Sequence, residues 1–153
     1  MREHDNQDLT LAAENDIAAL YGLLKGFHEG SIWGKIPRSD ADCIEYLSEL
    51  VNDKGFVIIN KDKNGDIVAA LGVLFAAPWY NKSAKLALEI FWYKQPNIRL
   101  EAKEWILLAE NICKIKGACA IEFSSVGLRR KALERLYHRA GYVEAERYYL
   151  RWL

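Results

Sequence analysis

Glu89 is the only charged residue in the apolar run 86–93, LALEIFWY, where a carboxyl stripped of part of its water rises in pKa towards the range of a general base. Glu122 makes the same claim from the run 119–123. The commoner fate of either is that of a structural carboxylate, paired with an arginine or hydrogen-bonded to a loop. Tyr137 falls at helical spacing with Leu133, Leu136 and Ala140, and a phenol on such a face is usually a core aromatic with its hydroxyl satisfied at the rim. His28 and His138 have the side chain for proton transfer but no evident partner in sequence, and His4 lies in a polar terminus. Ser124 and Ser125 lack the flanking glycines of a nucleophile elbow, which argues against a serine hydrolase. Trp33, Trp79, Tyr80, Trp92 and Tyr93 supply aromatic surface for a pocket wall or, more commonly, for a core.

Regular elements must position these side chains. Residues 8–13 predict a short strand, and Asn15 or Asp16 starts a helix whose Ile17, Leu20, Tyr21, Leu24 and Phe27 keep the helical period until Gly30. Beyond Ile36 and Pro37, Ser39 caps a second helix with Asp42 in its first turn and Ile44, Leu47, Leu50 and Val51 on one face; Asp53, Lys54 and Gly55 close it. The runs 56–60 and 67–75 are β-branched and aromatic, and Asn64-Gly65 between them predicts a tight hairpin turn. After Pro78, residues 86–93 read as a central strand apolar on both faces. Trp105, Leu108, Ala109 and Ile112 trace a helix over 100–116, Gly117 stops it, and 119–123 is a second buried strand, which makes a parallel crossover. A last helix ends at Gly141 and leads into an aromatic terminal strand over 142–153. This order predicts an α/β domain, a mixed and mostly antiparallel twisted sheet with helices on both faces.

Composition sets the outer bounds. A chain of 153 residues is one domain in length, so residues 1–153 are expected to fold as a single unit. With 51% hydrophobic and 27% charged residues it reads as an ordinary globular protein. Basic and acidic residues balance at 21 each, which removes the broad attraction that nucleic acid or an anionic membrane relies on. Cys43, Cys113 and Cys119 are odd in number, widely spaced and set among apolar neighbours, so they predict core thiols of a reducing compartment and no metal motif. No segment has the apolar core of a signal peptide or the length of a membrane span, and the expected location is cytoplasmic.

Two segments, LEIFWYKQPNIR at 88–99 and ALERLYHRAGY at 132–142, in this order and behind a helix, helix and hairpin, resemble the GNAT acetyltransferase family over essentially the whole chain. The small forms encoded by bacterial viruses are the most similar in kind. The resemblance implies a central splayed parallel pair, 86–93 and 119–123, with acetyl-CoA as co-substrate and its pantetheine arm lying between the strands. It places the cofactor at Phe91, Trp92, Tyr93, Lys94, Arg99, Leu100, Ala102, Lys103, Ser124 and Arg130, with the amides of a helix beginning near Arg99 facing the phosphates. It makes Tyr137 the acid that protonates the leaving thiolate and Glu89 the base, with a backbone amide of Ile90, Phe91 or Trp92 steadying the oxyanion. No metal is implied, and the acceptor is a small-molecule or peptide amine. Phe27, His28 and Trp33 fall where relatives shape substrate access.

The phosphate loop departs from the family pattern. Arginine, glycine, any residue, glycine, any residue, and glycine or alanine becomes Arg99, Leu100, Glu101, Ala102, Lys103 and Glu104. Side chains replace the glycines that let backbone approach pyrophosphate, and the glutamates repel it while favouring an empty helix start. Lys94, Lys103, Arg129 and Arg130 are the residues available to compensate. A second reading follows, a GNAT-like domain that has lost transfer and binds another protein. Tyr148, Tyr149 and Trp152 on the terminal segment are the candidate surface for a homodimer.

Overall fold

The computed structural model of the chain describes residues 8–125, 130–146 and 149–152. It contains two compact units, Met1–Phe123 and Ser124–Leu153. His4, Arg129 and Tyr148 lie outside the described residues.

The first unit is a five-stranded sheet in simple sequence order. Strand β1 is Leu9–Leu11, β2 is Gly55–Lys61, β3 is Ile67–Ala76, β4 is Leu86–Lys94 and β5 is Ala120–Glu122. The pairs β1–β2, β2–β3 and β3–β4 are antiparallel, and β4–β5 is parallel. Helices α1 (Ile17–Glu29) and α2 (Asp40–Glu49) cover one face; α3 (Ala102–Ile115) covers the other. Alternation along β2 serves both cores: Val57 and Ile59 join Leu20, Leu23, Leu47 and Leu50, while Phe56 and Ile58 join Trp105, Ala109 and Cys113. Trp105 and Leu20 are completely buried, each worth about 2 kcal/mol of transfer energy.

Local chemistry sets the element ends. Ser39 Oγ accepts the Asp42 amide at 3.3 Å as the cap of α2, and the helix continues into a π-turn over Leu50–Lys54 before β2. The β2–β3 connection runs from Asp62 to Asp66, with the predicted turn at Asn64-Gly65. Asp62 Oδ1 accepts the amides of Asn64 and Asp66 at 2.8 and 3.0 Å, and Gly65 takes the left-handed φ of 87° that the chain needs there.

Two expectations are corrected. The strand predicted over 119–123 is short and stands last in the sheet among the described residues, with Ala120 and Glu122 exposed; only three of its residues find partners on β4. Among the described residues no strand forms over 142–153. In the second unit, helix α4 (Arg130–Arg139) ends before Gly141, whose φ is 88°, and Tyr149 is 92% exposed.

Candidate active site

Strands β4 and β5 pair only at Leu86–Ala120, Ala87–Ile121 and Leu88–Glu122. From Glu89 to Lys94, β4 runs on while β5 has ended, so no strand among the described residues pairs with that side of β4. An extended chain carrying amide groups fits such an edge.

The register of β4 slips at the same place. Val73 pairs with Glu89 and Gly72 with Phe91, which leaves Ile90 as the extra residue of a bulge. The slip changes faces: Ala87 packs in the α3 core, whereas Phe91 and Tyr93, two and three steps of alternation further on, pack in the α1–α2 core. Glu89 shares the face of its partner Val73, the α3 side, and is half-buried.

Beyond β4, Lys94 Nζ donates to the Ile98 carbonyl at 2.6 Å and lies 3.4 Å from those of Gln95 and Pro96. One ammonium thus closes the loop that leads to α3. Arg99 is exposed in that loop, Leu100 packs against the α3 core, and the helix starts at Ala102, two residues after the predicted start at 100. Glu101 occupies its N-cap without a side-chain cap bond, and Lys103 and Glu104 are exposed in the first turn. Under β4 on this face, Trp92 stacks with Trp105 and Phe123 at 6.3 and 5.9 Å between ring centroids.

On the opposite face, α1, α2 and the bulge enclose a cavity of about 160 Å³. Its wall includes Tyr21, Phe27, His28, Tyr46, Ile90 and Phe91. His28, which has no evident partner in sequence, has one in the fold: Nε2 lies 3.1 Å from the Ile36 carbonyl and must carry the proton. Nδ1 is then the nitrogen with the free lone pair, and it is buried with no hydrogen-bond partner. Arg38 bonds Asp40 at 3.3 Å and Glu29 at 3.6 Å. Burial, with Asp40 beside it, pushes the Tyr21 phenol up; that hydroxyl and Arg38 hold the Asp40 carboxyl down. Tyr21, Lys25, Arg38 and Tyr46 were not singled out as site residues by sequence; the i, i+4, i+7 row Tyr21, Lys25 and His28 is the signal for the first two, and Arg38 and Tyr46 carry none. Trp33 does not line the cavity, nor do Trp79 and Tyr80, which are exposed and pack edge-on against each other at 5.5 Å.

In the second unit, Tyr137 is buried on α4 and its hydroxyl donates to the Ser124 carbonyl at 3.0 Å. Its ring lies 5.8 Å from that of Tyr142. Arg130 Nε bonds Glu134 at 2.7 Å, one turn along the helix.

Proteins of known structure share this fold. A Trypanosoma brucei acetyltransferase superposes with a TM-score of 0.72 at 17% identity, over 97% of this chain and 100% of that one. The fold is that of the GNAT acetyltransferases. A Clostridium acetobutylicum predicted acetyltransferase with acetyl-CoA matches the GNAT fold of this chain at a TM-score of 0.71 and 19% identity, over 95% of each chain. The aminoglycoside N-acetyltransferase AAC(6')-Iy in complex with CoA matches at 0.71 and 15%, over 100% of this chain and 98% of that one. No protein-family model and no curated protein sequence matches.

Proposed function

We propose that this chain is an acetyl-CoA-dependent N-acetyltransferase acting on a primary amine, with both compact units belonging to one catalytic domain. The observation that carries the reading is the bulge at Ile90 beside the side of β4 that no strand among the described residues covers. A strand edge of this kind takes a pantetheine arm by main-chain hydrogen bonds, and the bulge turns backbone amides near Ile90 and Phe91 away from the β3 ladder, towards a developing oxyanion. CoA-bound relatives of the same fold support the co-substrate.

In the proposed reaction the amine nitrogen attacks the thioester carbonyl carbon, the oxyanion collapses, and the carbon–sulfur bond breaks. Glu89, through water, takes a proton from the ammonium to free the attacking amine; Tyr137 gives its phenolic proton to the departing thiolate and is restored by the proton the nitrogen sheds as the amide forms. Phe91, Trp92 and Tyr93 offer the backbone edge, and the Lys94-closed loop presents Arg99 and the first amides of α3 to the phosphates, with Lys103, Ser124 and Arg130 as further contacts. Calorimetric titration of acetyl-CoA and CoA into wild type and Arg99→Ala tests the reading. Micromolar binding that Arg99→Ala weakens supports it; no heat at millimolar ligand sinks it.

A further inference from the structure

The cavity between α1, α2 and β4 is small and its charge is one-sided. About 160 Å³ compares with the roughly 150 Å³ of an apolar protein cavity that holds one benzene ring. It fits one ring or one branched side chain, and its mouth is open to solvent. Its remaining wall residues, Leu24, Leu47 and Cys43 among them, are apolar, and no residue lining it is acidic. Two lining residues are cationic, and they differ in how their charge is used. The Arg38 guanidinium is held by Asp40 and Glu29. Lys25, half-buried, lies with Nζ 4.7 Å from the centroid of the Tyr21 ring and has no carboxylate within ion-pair distance among the described residues. Asp40, the partner of Arg38, also feels the Lys25 charge; such a wall disfavours a polycation and leaves the Lys25 ammonium without a direct ion pair for a ligand carboxylate to meet.

We infer that this cavity receives an acceptor amine whose body is a single aromatic or branched apolar group and which carries one carboxylate, bound by the Lys25 ammonium. The inference names the acceptor class for the acetyl transfer proposed above and rests on that reading. Position supports it, because the cavity wall includes Ile90 and Phe91 and so reaches the bulge where transfer would occur; Glu89 stands on the other face of β4, so its share in the proton transfer runs through water at the strand edge. The relatives of this fold include an aminoglycoside acetyltransferase in complex with sisomicin, and the charge of this wall points away from that class for this chain.

The test titrates L-phenylalanine, phenethylamine and sisomicin into the full-length protein, first without acetyl-CoA and then with it while free thiol is followed. The expected result is that phenylalanine binds about tenfold or more tightly than phenethylamine, which differs only in lacking the carboxylate. Lys25→Met should remove that preference and Lys25→Arg should keep part of it, both with an unchanged melting temperature. Equal affinity for the two ligands, no binding of phenylalanine, or tightest binding of sisomicin overturns the inference. The two readings fail separately. Carboxylate-dependent binding without acetyl-CoA turnover sinks the transferase reading and keeps the site, whereas turnover on phenethylamine or sisomicin alone keeps transfer and sinks the site.

Discussion

Gly72 faces Phe91 across the β3–β4 ladder so closely that a Cβ on the glycine would lie 2.4 Å from the phenyl Cζ. Phe91 is the first residue after the bulge, and its ring fills the space a side chain at 72 would need. The absence of a side chain at 72 is therefore what lets β4 resume pairing after Ile90 with Phe91 turned into the α1–α2 core. Gly72→Ala should cost about 1–3 kcal/mol in chemical denaturation, since overpacking a core site has that magnitude. Adding Phe91→Leu should recover part of the loss; a fully additive double variant would show that the two positions do not share this space.

Tyr137→Phe separates chemistry from packing. Loss of a general acid should lower kcat by about a hundredfold or more. Loss of the hydrogen bond to the Ser124 carbonyl should cost about 1 kcal/mol of stability. A variant that loses the stability and keeps kcat makes the phenol structural only.

Asp16 couples the start of α1 to β2. Its Oδ1 accepts Lys61 Nζ at 2.7 Å and its Oδ2 accepts the Ala13 amide at 3.0 Å, and these bonds, Lys61 first, hold its pKa below the ordinary 3.8. Folding therefore favours the ionised carboxylate. The contribution is complete above the unfolded pKa and disappears as pH falls through the lower folded value. Between about pH 4 and pH 2, wild type should lose stability more steeply than Asp16→Asn, as read from melting temperatures across that window.

The thiols should divide by burial. Cys113 is buried on the face of α3 that packs against the sheet, and desolvation pushes its pKa up to about 11. Cys119, expected from sequence to be a core thiol, is exposed just before β5 with Sγ 3.2 Å from the Lys85 carbonyl. Labelling at pH 8 should modify Cys119 first and leave Cys113 intact until denaturant is added, as peptide mapping would show. Early modification of Cys113 would contradict the packing.

Most of the element boundaries were legible because they rest on local chemistry. Ser39 before α2, Gly30 after α1, Gly117 after α3 and the 3.6-residue stripe through Trp105 act within a few residues of themselves, so one chain read in order reveals them. No strand forms among the described residues of 142–153, because aromatic content signals a half-buried surface and does not supply the partner strand that a ladder needs.

The sequence by itself determined the number and kind of elements of the sheet-bearing unit, and through two spaced motifs it pointed to the acetyltransferase fold. Tertiary structure alone decided the bulge at Ile90, since a slip of register exists only between two strands and here depends on Gly72 opposite Phe91. It alone assembled Tyr21, Lys25, His28, Arg38, Tyr46 and Ile90 around one cavity, because residues from two helices and a strand become neighbours only when their apolar faces are buried together. Local preference is written along the chain; the charge and size of a site belong to distances between segments far apart in it.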